Sequence, residues 1–185
     1  MPCSYKIQLY FVVIKKYKIK KQYRYKGYDY SQGGFYFVTI CAKNREMFFG
    51  DIKNEKMELS EIGVAADRCW QEIPRNFLTV DLDEYVVMPN HVHGIIIIRR
   101  NAPRRVPTEC DSGLKPLIKD SLSSIVNHYK GGLKKFCNNN NLEFVWQPRF
   151  HDRIIRNEEE LNRIRQYIID NPTKWDWDRN NLRNV

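Results

Sequence analysis

The chain has 185 residues, a length that fits one domain with an extension. Its hydrophobic share of 42% is enough for a real core, and its net charge of +9 favours polyanionic partners without choosing a fold. Aromatic residues make up 13% and include eleven tyrosines, so bases and phosphates of a single strand are the polyanion that the composition suits best.

Residues 1–33 carry eight Lys or Arg against the single acid Asp29 and end at the breaker Ser31-Gln32-Gly33-Gly34, which reads as a basic N-terminal arm. Within it Leu9–Ile14 is apolar but far too short to span a bilayer, and basic residues rather than a small-residue cleavage site follow it. Phe35–Cys41 is β-branched and aromatic, a first strand. Ser60 caps a helix running to about Ile73, with Ile62, Ala65, Ala66, Cys69 and Ile73 as its buried stripe and Pro74 as its stop. Val80–Met88 is a second strand. Pro89-Asn90 separates it from a third, which is apolar on both faces beyond Gly94 and therefore central in its sheet.

Residues 99–117 hold Arg99, Arg100, Arg104 and Arg105 among prolines, a basic loop. A helix follows from about Ser121 to Phe136, with Leu122, Ile125, Val126, Tyr129, Leu133 and Phe136 on one stripe and Lys130, Lys134 and Lys135 off it. Phe144–Ile155 has strand character, broken at Gln147-Pro148. Asn157 caps the last helix, Glu160 closes a capping box, and Pro172 ends it. The order strand, helix, strand, strand, helix, strand, helix reads as an α+β, ferredoxin-like βαββαβ sandwich with an added C-terminal helix. The folded domain is then residues 34–178, with a tail over 179–185. The five cysteines are odd in number, scattered and never at C-x-x-C spacing, so neither a zinc finger nor a disulfide framework is indicated, and the pattern suits a reduced, cytoplasmic protein.

Chemistry concentrates in two places. His91 and His93 are two apart on a strand, so both imidazoles leave the same face and can grip one metal ion at the strand end. Tyr167 and Asn171 are neighbours one turn apart on the flank of the last helix, beside the stripe Leu161, Ile164 and Ile168. Asn171 offers a hard oxygen that can complete a His-His-Asn set, and imidazole plus oxygen ligands suit Mn²⁺ or Mg²⁺. Tyr129 is the rival nucleophile, though it sits within an apolar stripe. His128 and His151 are further candidates for the site.

Five segments carry a family resemblance: Tyr-Phe-Val-Thr-Ile-Cys at 36–41, Val-Met-Pro-Asn-His-Val-His-Gly-Ile-Ile at 87–96, Ser-Leu-Ser-Ser-Ile-Val at 121–126, Trp-Gln-Pro-Arg-Phe-His-Asp at 146–152, and residues 154–172 around Tyr167. In this order, over roughly residues 24 to 178, the chain resembles the HUH single-tyrosine transposases, in the branch of the REP-associated tyrosine transposases. The resemblance implies a divalent metal ion (Mg²⁺ or Mn²⁺) on His91, His93 and Asn171, with Tyr167 as nucleophile. Asn171 stands where the family often has Gln, one methylene longer. The implied reaction cuts and rejoins single-stranded DNA, hairpin-containing, through a 5′-phosphotyrosine. Arg99, Arg100, Arg104, Arg105, Lys130, Lys134 and Lys135 are then expected to hold phosphates. One nucleophile per chain holds one end, so a homodimer is expected. The alternative is a non-catalytic nucleic-acid-binding protein of the same fold.

Overall fold

The computed structural model describes residues 33–99, 120–178 and 180–181. Outside the described residues lie all but the end of the basic arm, the loop arginines Arg100, Arg104 and Arg105, and most of the 179–185 tail. The elements are β1 (Gly34–Cys41), β2 (Gly50–Lys53), β3 (Lys56–Leu59), α1 (Glu61–Gln71), α2 (Ile73–Asn76), β4 (Val80–Met88), β5 (His91–Ile98), α3 (Leu122–Asn139), β6 (His151–Ile155) and α4 (Glu158–Ile169).

The main sheet runs β4-β5-β1-β6, with every neighbouring pair antiparallel. β1 and β4 are therefore parallel with β5 inserted between them, the split βαβ arrangement of a ferredoxin-like sandwich. β5 is central, as its two-sided apolar run requires.

Strand alternation divides the core in two. Tyr36, Val38 and Ile40 of β1 and Val92, Ile96 and Ile98 of β5 face α1 and α3. Phe35 and Phe37 of β1, Ile95 of β5 and Ile155 of β6 face α4, which lays Leu161, Ile164 and Ile168 on them. Each of those three helix side chains contributes about 1.5–3 kcal/mol by leaving water. The histidines at 91 and 93 share the parity of Ile95, so they open onto the α4 face.

The helix starts follow their caps. Ser60 Oγ accepts from the backbone of Gly63 at 3.1 Å, Ser121 Oγ from Ser124 at 3.3 Å, and Asn157 Oδ1 from Glu160 at 2.8 Å. The capping box at α4 closes one residue early: Glu160 Oε2 accepts from the Arg156 N–H at 3.1 Å rather than from Asn157. Pro74 does not stop α1. It occupies the first turn of α2, where a missing N–H costs nothing. α3 runs on to Asn139, past its expected end at Phe136. Only His151–Ile155 of the expected 144–155 stretch is strand; upstream, Trp146 makes a single bridge to Ala42 and Arg149 adopts a φ of 71°.

The β2–β3 hairpin is an element the sequence pattern did not announce. It turns through Asn54 and Glu55, both at positive φ, the geometry of a two-residue hairpin loop. Gly50 enters it at φ 137°, where a Cβ would meet the Glu58 carbonyl oxygen at 2.0 Å.

Gly94 answers a different need. Trp70 of α1 packs against this part of β5, and a Cβ on Gly94 would come within 2.2 Å of its ring. Tyr85 stacks on the same indole and Tyr129 meets it edge-on, so the ring has no room to retreat. Gly94→Ala is expected to lower stability by about 1–3 kcal/mol in urea unfolding. Gly131→Ala, on α3 with nothing within 4 Å of the added carbon, is expected to raise it by about 0.5–1 kcal/mol.

Candidate catalytic and metal site

The two imidazoles are buried side by side, ring centroids 4.4 Å apart. Each has its Nδ1 engaged. His91 Nδ1 lies 2.8 Å from Asn90 Oδ1, and His93 Nδ1 lies 2.8 Å from Thr39 Oγ1, its partner across the β1–β5 register. Asn90 leaves no choice of tautomer. Its amide nitrogen donates to the carbonyls of Arg45 at 2.9 Å and Asn180 at 2.8 Å, so its oxygen is the atom turned to His91, and His91 Nδ1 must carry the proton. Nε2 is then the nitrogen that His91 can present to an ion.

Phe37 stacks on His93 at 5.2 Å and meets Tyr167 edge-on at 6.0 Å, fixing both rings. The Tyr167 hydroxyl lies 3.3 Å from His93 Nε2. Tyr167 is nevertheless 43% exposed, so its phenol is held at the buried pair and open to a ligand from solvent. α4 is set in place by more than its apolar stripe. Arg165 reaches back to Asp83 on β4, with Nε at 2.8 Å and Nη2 at 2.6 Å. Glu160 takes Arg153 Nε of β6 at 2.6 Å. The helix is thus tied to both edges of the sheet, on either side of the strand that carries the histidines.

Past α4 the chain folds back over the pair. Asn171 is buried, its Nδ2 facing the Tyr167 carbonyl at 3.4 Å, while its Oδ1 has no hydrogen-bond partner among the described residues. Trp175 packs against His91 at 6.1 Å between ring centroids. Asp178 then brings a carboxylate oxygen to the pair: ligand atoms of His91, His93 and Asp178 all lie within 4.8 Å of one another.

Two imidazole nitrogens and a carboxylate oxygen make a donor set that fits a divalent cation of the Mg²⁺ or Mn²⁺ kind. Asp178 was not foreseen from the sequence. It follows a 3₁₀ turn at Trp175–Trp177, with no periodic relation to α4.

The other expected residues are distributed as follows. Tyr129 is buried against Trp70 on the opposite face of the sheet, which removes it as a nucleophile. His128 is exposed on that same far side, edge-on to Phe77. His151 is exposed on β6, in register with Thr39. Arg99 pairs with Asp81. Lys130 Nζ donates to the carbonyls of Gln147 at 2.7 Å and Arg149 at 2.8 Å, and burial draws its pKa down to about 8. Lys134 Nζ donates to the Phe144 carbonyl at 2.6 Å, and Lys135 is exposed. Among the described residues no helix is long and apolar enough to cross a membrane.

No family model matches the chain. It is 38% identical over 165 residues to an uncharacterized protein of Haemophilus influenzae, across 86% of this chain and 92% of that protein. It is 27% identical over 148 residues to the REP-associated tyrosine transposase of Escherichia coli K12, across 80% of this chain and 72% of that protein. A solved structure of a REP-associated tyrosine transposase bound to a REP hairpin has the same fold: TM-score 0.56, 23% identity, 84% of this chain and 75% of that one covered.

The Asp83–Arg165 pair gives a test of how α4 is held. The hydrogen bond from Arg165 holds the Asp83 carboxyl below the ordinary carboxylate range. The pair's contribution is therefore complete above about pH 3.9, the unfolded value, and is lost as pH falls through the folded one. Asp83→Asn is expected to cost about 1 kcal/mol at neutral pH. In urea melts across pH, the gap between variant and wild type is expected to close on the acid side.

Proposed function

We propose that the chain is a member of the family of the REP-associated tyrosine transposases, one of which it matches at 27% identity, and that it cuts and rejoins single-stranded DNA through a covalent bond to Tyr167. The observation that carries this reading is the 3.3 Å approach of the Tyr167 hydroxyl to His93 Nε2, made within one chain by a phenol that solvent can reach.

His91, His93, Asp178 and Asn171 would hold a divalent ion. Such an ion polarises a phosphodiester and offsets the charge that builds on it. The chain's own residues do the rest. Thr39 and Asn90 fix both imidazoles through Nδ1. Phe37 keeps the phenol from swinging away. The ties to Asp83 and Arg153 keep α4 at one height on the sheet.

Tyr167 Oη, having lost its proton, attacks the scissile phosphorus. The bond from phosphorus to the 3′ oxygen breaks, that oxygen takes up a proton, and the 5′ phosphate remains on Tyr167. A second 3′-OH reverses the step and joins new ends with no outside energy source, because the ester is conserved.

The substrate in this reading is a single strand beside a hairpin; the solved REP-associated tyrosine transposase of the same fold is bound to a REP hairpin. Nucleophile and imidazoles meet in one chain, so one copy suffices for cleavage, and a homodimer serves to bring two ends together.

Tyr167→Phe is expected to bind hairpin-bearing single strands with wild-type affinity and to yield no cleavage on a denaturing gel. Loss of binding along with cleavage would instead point to a fold defect or a binding role. Asn90→Ala is expected to weaken Mn²⁺ binding by about 10–100-fold in calorimetry, through a freed His91 ring.

A further inference from the structure

Resting on the strand-transfer reading above, we propose that a cleft at the histidine end of the sheet receives one unpaired guanine of the substrate strand. The cleft measures about 390 Å³, in the range of small-ligand sites. Lys43, Glu46 and Phe48 of the loop leaving β1 line one side; Glu143 and Phe144 line the other, with Lys134 of α3.

Hydrogen bonds fix the cleft beside the site. β1 ends at Cys41, opposite His91 in the β5 register. In the loop that follows, the Ala42 N–H donates to the Asn90 carbonyl at 2.8 Å and the Phe49 N–H to the Pro89 carbonyl at 2.9 Å. The Arg45 carbonyl accepts from the Asn90 side chain at 2.9 Å, and Asn90 Oδ1 in turn holds His91 Nδ1. Glu46 of the cleft wall thus adjoins a residue two hydrogen bonds from the imidazole. Asn44 and Arg45 stand at φ 54° and 57°, and two consecutive left-handed non-glycine residues persist only where their surroundings hold them.

The two walls are also tied to each other. The Lys43 N–H donates to the Val145 carbonyl at 2.8 Å and the Gln147 N–H to the Cys41 carbonyl at 2.9 Å. Lys134 Nζ donates to the Phe144 carbonyl at 2.6 Å. The cleft is built before a ligand arrives, so little ordering is lost on binding.

The lining selects the ligand. Phe48 and Phe144, edge to face at 5.3 Å, give apolar surface to a flat ring. Lys43 and Lys134 offer donors, and Lys134 keeps two protons beyond the one given to Phe144. Glu46 and Glu143 offer acceptors; the Asn44 amide takes one position on Glu46 Oε1 at 3.3 Å and leaves the rest of that carboxylate. The two carboxylates disfavour a phosphate, and a purely apolar group uses none of the four charges. An unpaired base has a flat face and hydrogen-bonding edges of both kinds. Guanine alone among the four carries two adjacent donors, N1–H and N2–H, that span one carboxylate, together with two adjacent acceptors, O6 and N7, that take one ammonium.

The test uses the full chain and short oligo-dT strands with dT, dG, dA or deoxyinosine at one central position. Deoxyinosine keeps O6, N7 and N1–H and lacks the N2 amine. Wild type is expected to bind the dG strand about 5- to 150-fold more tightly than all-dT, with deoxyinosine between them. The Glu46→Gln/Glu143→Gln double variant is expected to bind all-dT at least as tightly as wild type, with an unchanged melting curve, and to lose the preference for dG.

A wild type that binds the dG and dT strands equally, or that prefers another base, overturns the proposal without any variant. A double variant that keeps the dG preference overturns it as well. Either result, with cleavage by the wild-type protein intact, leaves the strand-transfer reading standing. A dG preference that the double variant loses, in a wild type that forms no covalent product, supports the guanine cleft and removes the strand-transfer reading.

Discussion

Two imidazoles are buried next to each other on the central strand of a sheet, and everything at the site follows from keeping them there. A buried ring nitrogen without a partner costs about 1–3 kcal/mol, and a buried charge costs more. Thr39 on the neighbouring strand and Asn90 at the strand's start answer for the two Nδ1 atoms. Their choice of Nδ1 turns both Nε2 atoms toward the same space. Into that space α4 brings a phenol, and the chain beyond α4 brings a carboxylate.

The sheet assigns its two faces separate work. The face under α1 and α3 is a packed core, where Trp70 lies against Gly94 and Tyr129 is sealed. Among the described residues, the helix that covers the other face is α4, with a narrow apolar stripe, tied to both edges by Asp83–Arg165 and Arg153–Glu160. The histidines are buried on this face, while Tyr167, on the flank of the helix, stays 43% exposed. The packed core and the candidate site thereby lie on opposite sides of β5, and the one-residue alternation of the strand keeps them apart.

Much of this was legible in the sequence because it obeys local periodicity. The His-x-His parity, the caps at Ser60, Ser121 and Asn157, the stripe of α3 and the pairing of Tyr167 with Asn171 are all statements about neighbours one turn or two residues away. The β2–β3 hairpin was not legible, since neither strand has a buried face to print an alternation in the sequence. Asp178 was hidden for another reason: a turn, not a helix or strand, carries it back to the histidines. Asn90 was visible as punctuation, but its grip on His91 depends on carbonyls 45 and 90 residues away in the chain. Lys130 and Lys134 lie off their helix's stripe as expected, yet both ammonium groups turn to carbonyls of the 144–149 stretch. Nothing in a helical pattern tells what stands beside its flank.

The central claim is that one tyrosine among eleven forms the bond to DNA. The most direct measurement is tandem mass spectrometry of the protein after reaction with a hairpin-bearing single strand and Mn²⁺, followed by nuclease trimming and proteolysis. The account predicts a nucleotide linked through its 5′ phosphate to the peptide containing Tyr167, at that residue. Cleaved DNA with no nucleotide on the protein, or a nucleotide on any other tyrosine, would contradict it.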